Sequence, residues 1–211
     1  ENYRNDYIKS VEKARKSNRN TANWEELGPW EYDHEATMNL SEHSPGSAHV
    51  YTVEQSKSNP DVVYAGTANA GIWKSVDKGM SWELMTRDYY ITSVYSLEID
   101  HADEDIVYAY SGSRIWKTSD GGTSWAETAN GLSFSWVRDL KMSPANSQII
   151  FAASTNGLFK TSDGGSNWTN IEGNLPDMPV RWGIFNPTNS NEVLLATELG
   201  VWSTTNLNGA A

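Results

Sequence analysis

Four residues with useful chemistry recur at one position of a repeated sequence pattern, at successive intervals of 44, 43 and 43 residues: Tyr51, Tyr95, Arg138 and Arg181. An arginine guanidinium binds carboxylate or phosphate groups through paired hydrogen bonds, and a tyrosine offers a flat apolar ring with a polar tip. We therefore predict that the four residues line one mouth of a ring of repeated units and bind a ligand there. The alternative is that Arg138 and Arg181 form ion pairs with acidic residues of neighbouring units and are structural.

The sequence gives little evidence for a metal, cofactor or catalytic site. The chain has no cysteine, and its four histidines lack the spacing of metal ligands: His34, His43, His49 and His101. The sequence contains no Ser/His/Asp arrangement, no phosphate-binding glycine loop and no zinc motif. We predict neither a metal site nor a cofactor, and no catalytic residues.

The composition narrows the classes of partner. With 27 acidic and 16 basic residues the chain has a formal net charge of −11, which argues against nucleic acid and anionic membranes as partners. No apolar run approaches the roughly 20 residues that a membrane-spanning helix needs. Ten tryptophans and ten tyrosines stand beside only four phenylalanines, which indicates many short elements anchored by aromatic rings.

A short motif of the form Ser/Thr-x-Asp-x-Gly-x-x-Trp recurs three times at intervals of 43 residues, and a worn fourth copy begins at Val201. Other apolar runs keep the same interval, so that each unit has four short β-prone runs separated by turns. Four strands in a unit of roughly 40–45 residues are typical of β-propeller blades. The residues that match the motif are Ser75, Asp77, Gly79, Trp82, Thr118, Asp120, Gly122, Trp125, Thr161, Asp163, Gly165 and Trp168.

Each position of this motif has a mechanical role in a hairpin between the third and fourth strands of a unit. The aspartate accepts hydrogen bonds from backbone N–H groups ahead of it, and Gly122 and Gly165 supply the positive φ of a tight turn. We expect the tryptophan to begin the fourth strand and to fold back under the hairpin as a small separate core. All twelve motif residues are therefore predicted to be structural.

The motif resembles the Asp boxes of BNR-repeat β-propellers, a superfamily that includes sialidases, sortilins, xyloglucanases and photosystem II assembly factors. The resemblance implies an all-β propeller whose Asp boxes lie at the periphery, away from the axial face that binds ligands. A sialidase also requires a third equivalent arginine and an Arg-Ile-Pro element, and the sequence has neither.

Two further segments, residues 23–29 and 175–202, resemble the large exported propellers of Bacteroidetes that carry sorting domains for the type IX secretion system. This resemblance implies a secreted or cell-surface protein that contacts the secretion machinery. We expect a non-catalytic module that binds protein or glycan. The alternative is a glycoside hydrolase of the sialidase or xyloglucanase type, or part of one.

The sequence pattern divides the chain into three parts. Residues 1–22 are predicted to form a short amphipathic helix and a linker, residues 23–49 an initial strand and loop, and residues 50–211 about four blades. The last blade lacks a fourth strand, and residues 23–27 resemble it closely enough to close a four-bladed ring. The interpretation that we favour is an incomplete propeller, with this chain as part of a longer one.

Overall fold

A computed structural model of the protein describes residues 49–128 and 136–207, and these residues form β-strands and turns without a helix. The predicted helix in residues 1–22 and the predicted strand at residues 23–27 lie outside the described residues. No helix in the described part of the chain is long and apolar enough to cross a bilayer. The strands are β1 (Val50–Gln55), β2 (Val63–Thr67), β3 (Ile72–Ser75), β4 (Glu83–Leu84), β5 (Val94–Ile99), β6 (Val107–Ser111), β7 (Arg114–Thr118), β8 (Ala126–Glu127), β9 (Val137–Ser143), β10 (Asn146–Ser154), β11 (Gly157–Thr161), β12 (Thr169–Asn170), β13 (Val180–Asn186), β14 (Asn189–Thr197) and β15 (Gly200–Thr204).

These strands form four antiparallel sheets in which each strand pairs with the next along the chain. Sheets 1, 2 and 3 have four strands each (β1–β4, β5–β8 and β9–β12), and sheet 4 has three (β13–β15). The prediction of an all-β chain built from four-stranded units is thus confirmed. The fourth strand of each full sheet begins one residue after the motif tryptophan, and the indole N–H of that tryptophan bonds to the turn, as in the 3.0 Å bond from Trp125 Nε1 to the Gly122 carbonyl.

The sheets stack face to face, and their inner strands β1, β5, β9 and β13 contact one another in that order. We call the side of a sheet that faces the preceding sheet its front face, and the other side its back face. The second strands of sheets 2 and 3 are therefore covered on both faces and contain continuous apolar runs, as in the wholly buried β6. The outer strands of sheets 1 to 3 are only two residues long, which limits edge-to-edge pairing with other chains.

Three hydrophobic cores lie between the sheets. In the first, Tyr64 and Ile72 on the back face of sheet 1 pack with Val94 and Leu97 on the front face of sheet 2. The second core repeats this arrangement between sheets 2 and 3, and the third between sheets 3 and 4. The prediction of a small separate core beneath each tryptophan is wrong for two of the three, because Trp125 is part of the first core and Trp168 of the second, whereas half-buried Trp82 belongs to none of the three cores. Packed sheets lie about 10 Å apart, so that an indole under its own hairpin also reaches the neighbouring sheet.

The three aspartate turns (residues 75–82, 118–125 and 161–168) have the same geometry. In the second, Asp120 Oδ1 accepts hydrogen bonds from the Thr118 hydroxyl and the Ser124 N–H, both at 2.8 Å. The bonds from the Ser124 hydroxyl and N–H, followed by that from Thr118, lower the pKa of Asp120 to about 2. Gly122 has a φ of 97°, a left-handed conformation that favours glycine.

One lysine in each of sheets 1, 2 and 3 donates a hydrogen bond to a main-chain carbonyl of the next sheet. The Nζ of Lys74 donates to the Gly121 carbonyl at 3.1 Å, and that of Lys117 to the Gly164 carbonyl at 3.2 Å. Lys160 repeats the bond to the Leu207 carbonyl of sheet 4 at 3.4 Å. Neighbouring sheets are therefore held in register by side chains that bind main-chain atoms across the junction.

Candidate functional site

The four residues predicted to bind a ligand each occupy a β-bulge at the start of an inner strand. In β1, Val50 pairs with Thr67 and Thr52 pairs with Gly66, which leaves Tyr51 as an extra residue. The corresponding extra residues are Tyr95 in β5, Arg138 in β9 and Arg181 in β13. A bulge re-aims the extra side chain away from the pleat of the strand. The bulge therefore exposes the extra side chain in sheets 1, 3 and 4, whereas that of sheet 2, Tyr95, is half-buried against the second core.

Two of these bulge residues and one loop residue form a continuous surface of aromatic rings, which we call the aromatic ledge (Tyr51, Tyr95 and Trp136). Tyr51 and Tyr95 stack with ring centroids 5.2 Å apart and planes 15° apart. The Trp136 ring lies 5.4 Å from that of Tyr95 and is tilted by 47°. Tyr51 and Trp136 are 49% and 51% exposed, so the ledge offers flat apolar area to solvent.

Arg138 extends this ledge with a positive charge. Its guanidinium carbon lies 5.5 Å from the centre of the Trp136 ring, a cation–π contact that holds the charge beside the ledge. Within residues 49–128 and 136–207, Arg138 forms no ion pair with a carboxylate. The alternative prediction of ion pairing between units thus does not describe this arginine in the part of the chain that the structure covers.

Arg181 lies apart from the ledge. It forms an ion pair with Glu198, which lies in the turn between β14 and β15 of its own sheet. Among the described residues it contacts none of the three aromatic rings of the ledge. The structure thus brings Tyr51 and Tyr95 together, links Arg138 to them through Trp136, and leaves Arg181 outside this group.

The sequence comparison of the units missed Trp136 and the ring that supports Tyr95. Trp136 comes just before Val137, and the corresponding positions in the neighbouring units hold Ser93 and Pro179, so the repeat does not mark this residue. Tyr110 lies beneath the ledge, with its ring centroid 6.3 Å from that of Tyr95. Trp136 could have been found by looking directly before each inner strand for an aromatic residue whose equivalents in the other units are not aromatic.

A second group of polar residues surrounds Lys141 on the back faces of the inner strands. The ammonium group lies 3.2 Å from Glu98, 3.5 Å from Glu54 and 3.7 Å from Asp139. Two of these carboxylates also bond to the next sheet, since Glu98 accepts from the Met142 N–H at 3.0 Å and Asp139 from the Gly183 N–H at 3.3 Å. This Lys141 cluster therefore links the inner strands of all four sheets.

Burial and mutual charge shift the pKa values of the Lys141 cluster. Burial raises the pKa of Asp139 to about 6, against the lowering effect of Lys141. Burial alone would lower the pKa of Lys141, but the attraction of Glu98, Asp139 and Glu54 outweighs it and raises this pKa to about 12. Burial and the nearby Glu98 also raise the pKa of Glu54. No cluster of His, Asp and Glu in the described ranges has the geometry to hold a metal ion.

Comparison with known proteins rests on structure alone. No protein-family model and no curated protein matches the chain. An ancestral GH74 enzyme is similar in structure, with a TM-score of 0.66 at 20% sequence identity over 76% of this chain and 23% of the enzyme. The GH74 enzyme of Niastella koreensis gives a TM-score of 0.58 at 18% identity over 72% of this chain and 26% of that one. YCF48, solved with bound D1 peptide, gives 0.55 at 17% identity over 73% and 48%.

The fold is a β-propeller. At these identities the similarity defines the architecture of the chain and nothing finer. The chain spans less than half the length of each of these three proteins.

Proposed function

We propose that this chain is a non-catalytic propeller module that binds a glycan or a protein through the aromatic ledge and Arg138. One observation carries the proposal: a bulge at the same place in each sheet presents an extra side chain, and two of these side chains, exposed Tyr51 and half-buried Tyr95, join exposed Trp136 in the ledge. A bulge disrupts the ladder of the sheet locally, and bulges are frequent next to binding and active sites.

The geometry favours a glycan over a peptide. The half-exposed ring of Tyr51 offers its outer face, the one not stacked on Tyr95, as a flat apolar surface of the kind that pairs with the C–H face of a sugar ring, and its hydroxyl supplies a polar contact at the edge. The guanidinium of Arg138 adds a donor for hydroxyl or carboxylate groups of the same ligand. A peptide is the second ligand that we propose, and the peptide-bound state of the neighbouring YCF48 fold supports it.

The competing function is glycoside hydrolysis, which the two GH74 neighbours support. Such an enzyme uses two carboxyl groups on either side of the scissile bond, one of them with a raised pKa. Asp139 has a pKa of about 6, but it is buried in a junction and its oxygens contact Lys141 and the Gly183 N–H. Because these contacts couple Asp139 to the packing of sheets, we assign it a structural role.

We further propose that the protein is secreted or displayed at the cell surface as a cargo of the type IX secretion system. The similarity of residues 23–29 and 175–202 to exported Bacteroidetes propellers supports this location. The repeated aspartate turns support a place among the BNR/Asp-box propellers. A full-length precursor that lacks a sorting domain and stays in the cytoplasm would contradict the proposal.

Binding to a glycan array and to a peptide library tests the ledge directly. We expect Trp136→Ala and Tyr51→Ala each to weaken binding about 10-fold, since loss of one aromatic contact in a binding site costs about 1–2 kcal/mol. Arg138→Ala should weaken binding most for acidic ligands. The control is Met80→Ala, because Met80 is 75% exposed in the first aspartate turn, at the opposite end of the sheet.

Two results would contradict the proposed function. Equal affinity of the wild-type protein and Trp136→Ala for every ligand that the array identifies would remove the ledge as the site. Hydrolysis of fluorogenic glycosides by the purified chain, with loss of turnover in Asp139→Asn, would replace the binding module with an enzyme.

A further inference from the structure

The Lys141 cluster and the aromatic ledge are built on the same three inner strands. In each strand a cluster residue follows the bulge residue by three positions: Tyr51 and Glu54 in β1, Tyr95 and Glu98 in β5, and Arg138 and Lys141 in β9. At about 3.3 Å per residue, the cluster lies roughly 10 Å along each strand from the bulge residue. The spacing of the strands at the cluster therefore affects the spacing of the rings in the ledge.

The ammonium group of Lys141 links these three strands to one another. From β9 it lies 3.2 Å from Glu98 in β5 and, beyond that strand, 3.5 Å from Glu54 in β1. The ledge spans the same three sheets, from Tyr51 in β1 to Trp136 directly before β9. A change in the attraction at Lys141 therefore acts on the strands that hold the rings of the ledge together.

The cluster holds more negative than positive charge. Lys141 faces three carboxylates within 3.7 Å, and two of these, Glu98 and Asp139, are buried. One ammonium group balances one carboxylate, so full ionisation leaves two carboxylate charges without a counter-charge in a mostly buried space, which is unfavourable. A proton held by one of the carboxyl groups relieves part of this repulsion.

Among the described residues, the other groups around the cluster add no second buried cation. His101 Nε2 lies 3.5 Å from Glu98, but it also lies 2.6 Å from the Nζ of Lys57. An ammonium group can only donate a hydrogen bond, so the imidazole accepts at Nε2 and carries no proton there. Lys57 is exposed to solvent, which screens its charge. Strands β10 and β13 bring uncharged residues to this region: Phe151 and Ala153, which pair with Lys141 and Asp139, and Trp182 and Ile184, which flank Gly183.

We propose that a proton on Asp139 regulates the aromatic ledge, by leaving Lys141 free to hold the inner strands of sheets 1 to 3 together. This regulation rests on the proposed function of the ledge as a binding site. Ionised Asp139 competes with Glu54 and Glu98 for the one ammonium group, which weakens the link from β9 to β1 and β5 and loosens the contact between the rings.

The change in the charge of Asp139 falls in an accessible pH range. Burial raises the pKa of Asp139 to about 6, above its unfolded value of about 3.9. The proton is therefore bound at pH 5 and lost as the pH rises through 6, so the ledge is held most firmly at the lower pH.

Two-dimensional NMR of the indole N–H groups tests the effect on the ledge in the whole chain without a ligand. The chain has ten tryptophans, and the signal of Trp136 is the one that disappears in Trp136→Phe. In the wild type this signal should shift between pH 5 and pH 7.5 with a midpoint near 6. In Asp139→Asn, whose amide stays uncharged, it should remain at its pH 5 position throughout. Glu98→Gln removes a competitor for the ammonium group and a negative charge near Asp139, so it should lower the midpoint.

Affinity measurements test the regulation itself, with a ledge ligand that does not titrate between pH 5 and pH 7.5. The wild type should bind more tightly at pH 5 by about 3-fold to 30-fold, the upper value being the full effect at pH 7.5 of losing one proton with a pKa of 6. Asp139→Asn should bind equally well at both pH values. Asp120→Asn is the matched control, because a pKa of about 2 keeps Asp120 ionised over this range, and this variant should keep the wild-type pH dependence. In the NMR spectra the control is the signal of Trp82, whose indole N–H bonds to the turn of sheet 1 and should not shift.

Two results would overturn the inference and leave the ledge as a binding site. One is a Trp136 signal that does not move with pH in the ligand-free wild type, or that moves equally in Asp139→Asn. The other is equal affinity of the wild type for its ligand at pH 5 and pH 7.5. Failure of the proposed function is a different result, because no ligand would then lose affinity in Trp136→Ala at either pH, and the regulation would be refuted with it whatever the NMR titration shows.

Discussion

Arg138 and Asp139 are adjacent in β9, yet they take part in different groups of contacts. The bulge at Arg138 places its guanidinium over Trp136, whereas Asp139 lies in the junction with sheet 4, beside Lys141 and the Gly183 N–H. A single extra residue in the strand thus separates a surface suited to binding from a buried charge that couples sheets. We expect the two residues to respond differently to pH and to substitution.

Asp139→Asn should stabilise the protein above pH 6 and have little effect near pH 4. Burial raises the folded-state pKa of Asp139 to about 6, above the unfolded value of about 3.9. The stability that its proton contributes is therefore present below pH 4 and is lost as the pH rises through 6. The amide still accepts the Gly183 bond, so we expect a gain of about 1–2 kcal/mol at pH 7.5, measured by urea unfolding.

Asp120→Asn is the control, and its pH dependence should have the opposite sign. The hydrogen bonds of the turn lower the folded-state pKa of Asp120 to about 2, so its contribution is present above pH 4 and is lost as the pH falls toward 2. The urea midpoint of this variant should lie below that of the wild type at pH 7.5, with a smaller difference at pH 2.5. A destabilised Asp139→Asn at pH 7.5 would show that the Lys141 attraction outweighs burial.

At the scale of the strand and the sheet, one close contact determines how sheets 3 and 4 fit. Gly183 in β13 stands where sheets 2 and 3 have Leu97 and Leu140. A Cβ added to it would lie 2.6 Å from the Cζ atom of Phe151, whose ring is buried in the junction. The phenyl ring of one sheet thus fills the space that a side chain of the next would need.

Gly183→Ala should destabilise the protein by about 1–3 kcal/mol, because an extra methyl group overpacks a filled junction. Phe151→Leu leaves space for it, so the double variant should cost less than the sum of the two single variants. Urea unfolding of all four proteins measures the coupling. Additive costs would mean that the backbone of β13 moves away instead of meeting the ring.

At the scale of strands and turns, much of the fold could be predicted from the sequence. The strands and turns followed from the repeat, since a hairpin closed by Asp120 and Gly122 depends on contacts a few residues apart. Trp136 was missed because it lies outside the repeat, and the pairing of Arg181 with Glu198 depends on how two strands align. The prediction of a separate core was wrong for Trp125 and Trp168 because the distance between sheets is a tertiary property that a single unit does not encode.

For the whole molecule, stability should vary along the row of sheets. Sheets 2 and 3 pack against a neighbouring sheet on both faces, whereas sheets 1 and 4 each have one such neighbour among the described residues. In stacked repeats each unit gains stability mainly from its neighbours, so the terminal units are the first to open.

Hydrogen exchange should therefore be slowest in β6 and β10 and faster in β1 and β15 when the chain is dilute. Mass spectrometry of peptides from each strand measures this difference. Uniform protection of the four sheets in dilute solution would contradict a row whose terminal sheets have only one neighbouring sheet each.

The lysine contacts between sheets have a consequence for how such a chain changes over generations. Lys74, Lys117 and Lys160 each bind a main-chain carbonyl of the following sheet, and a carbonyl is present whatever residue occupies that position. If the gene gains or loses one whole repeat unit in frame, the lysine-to-carbonyl hydrogen bonds between the remaining sheets still form. The number of sheets can therefore change by whole units, while the surface that contacts other molecules changes one bulge residue at a time.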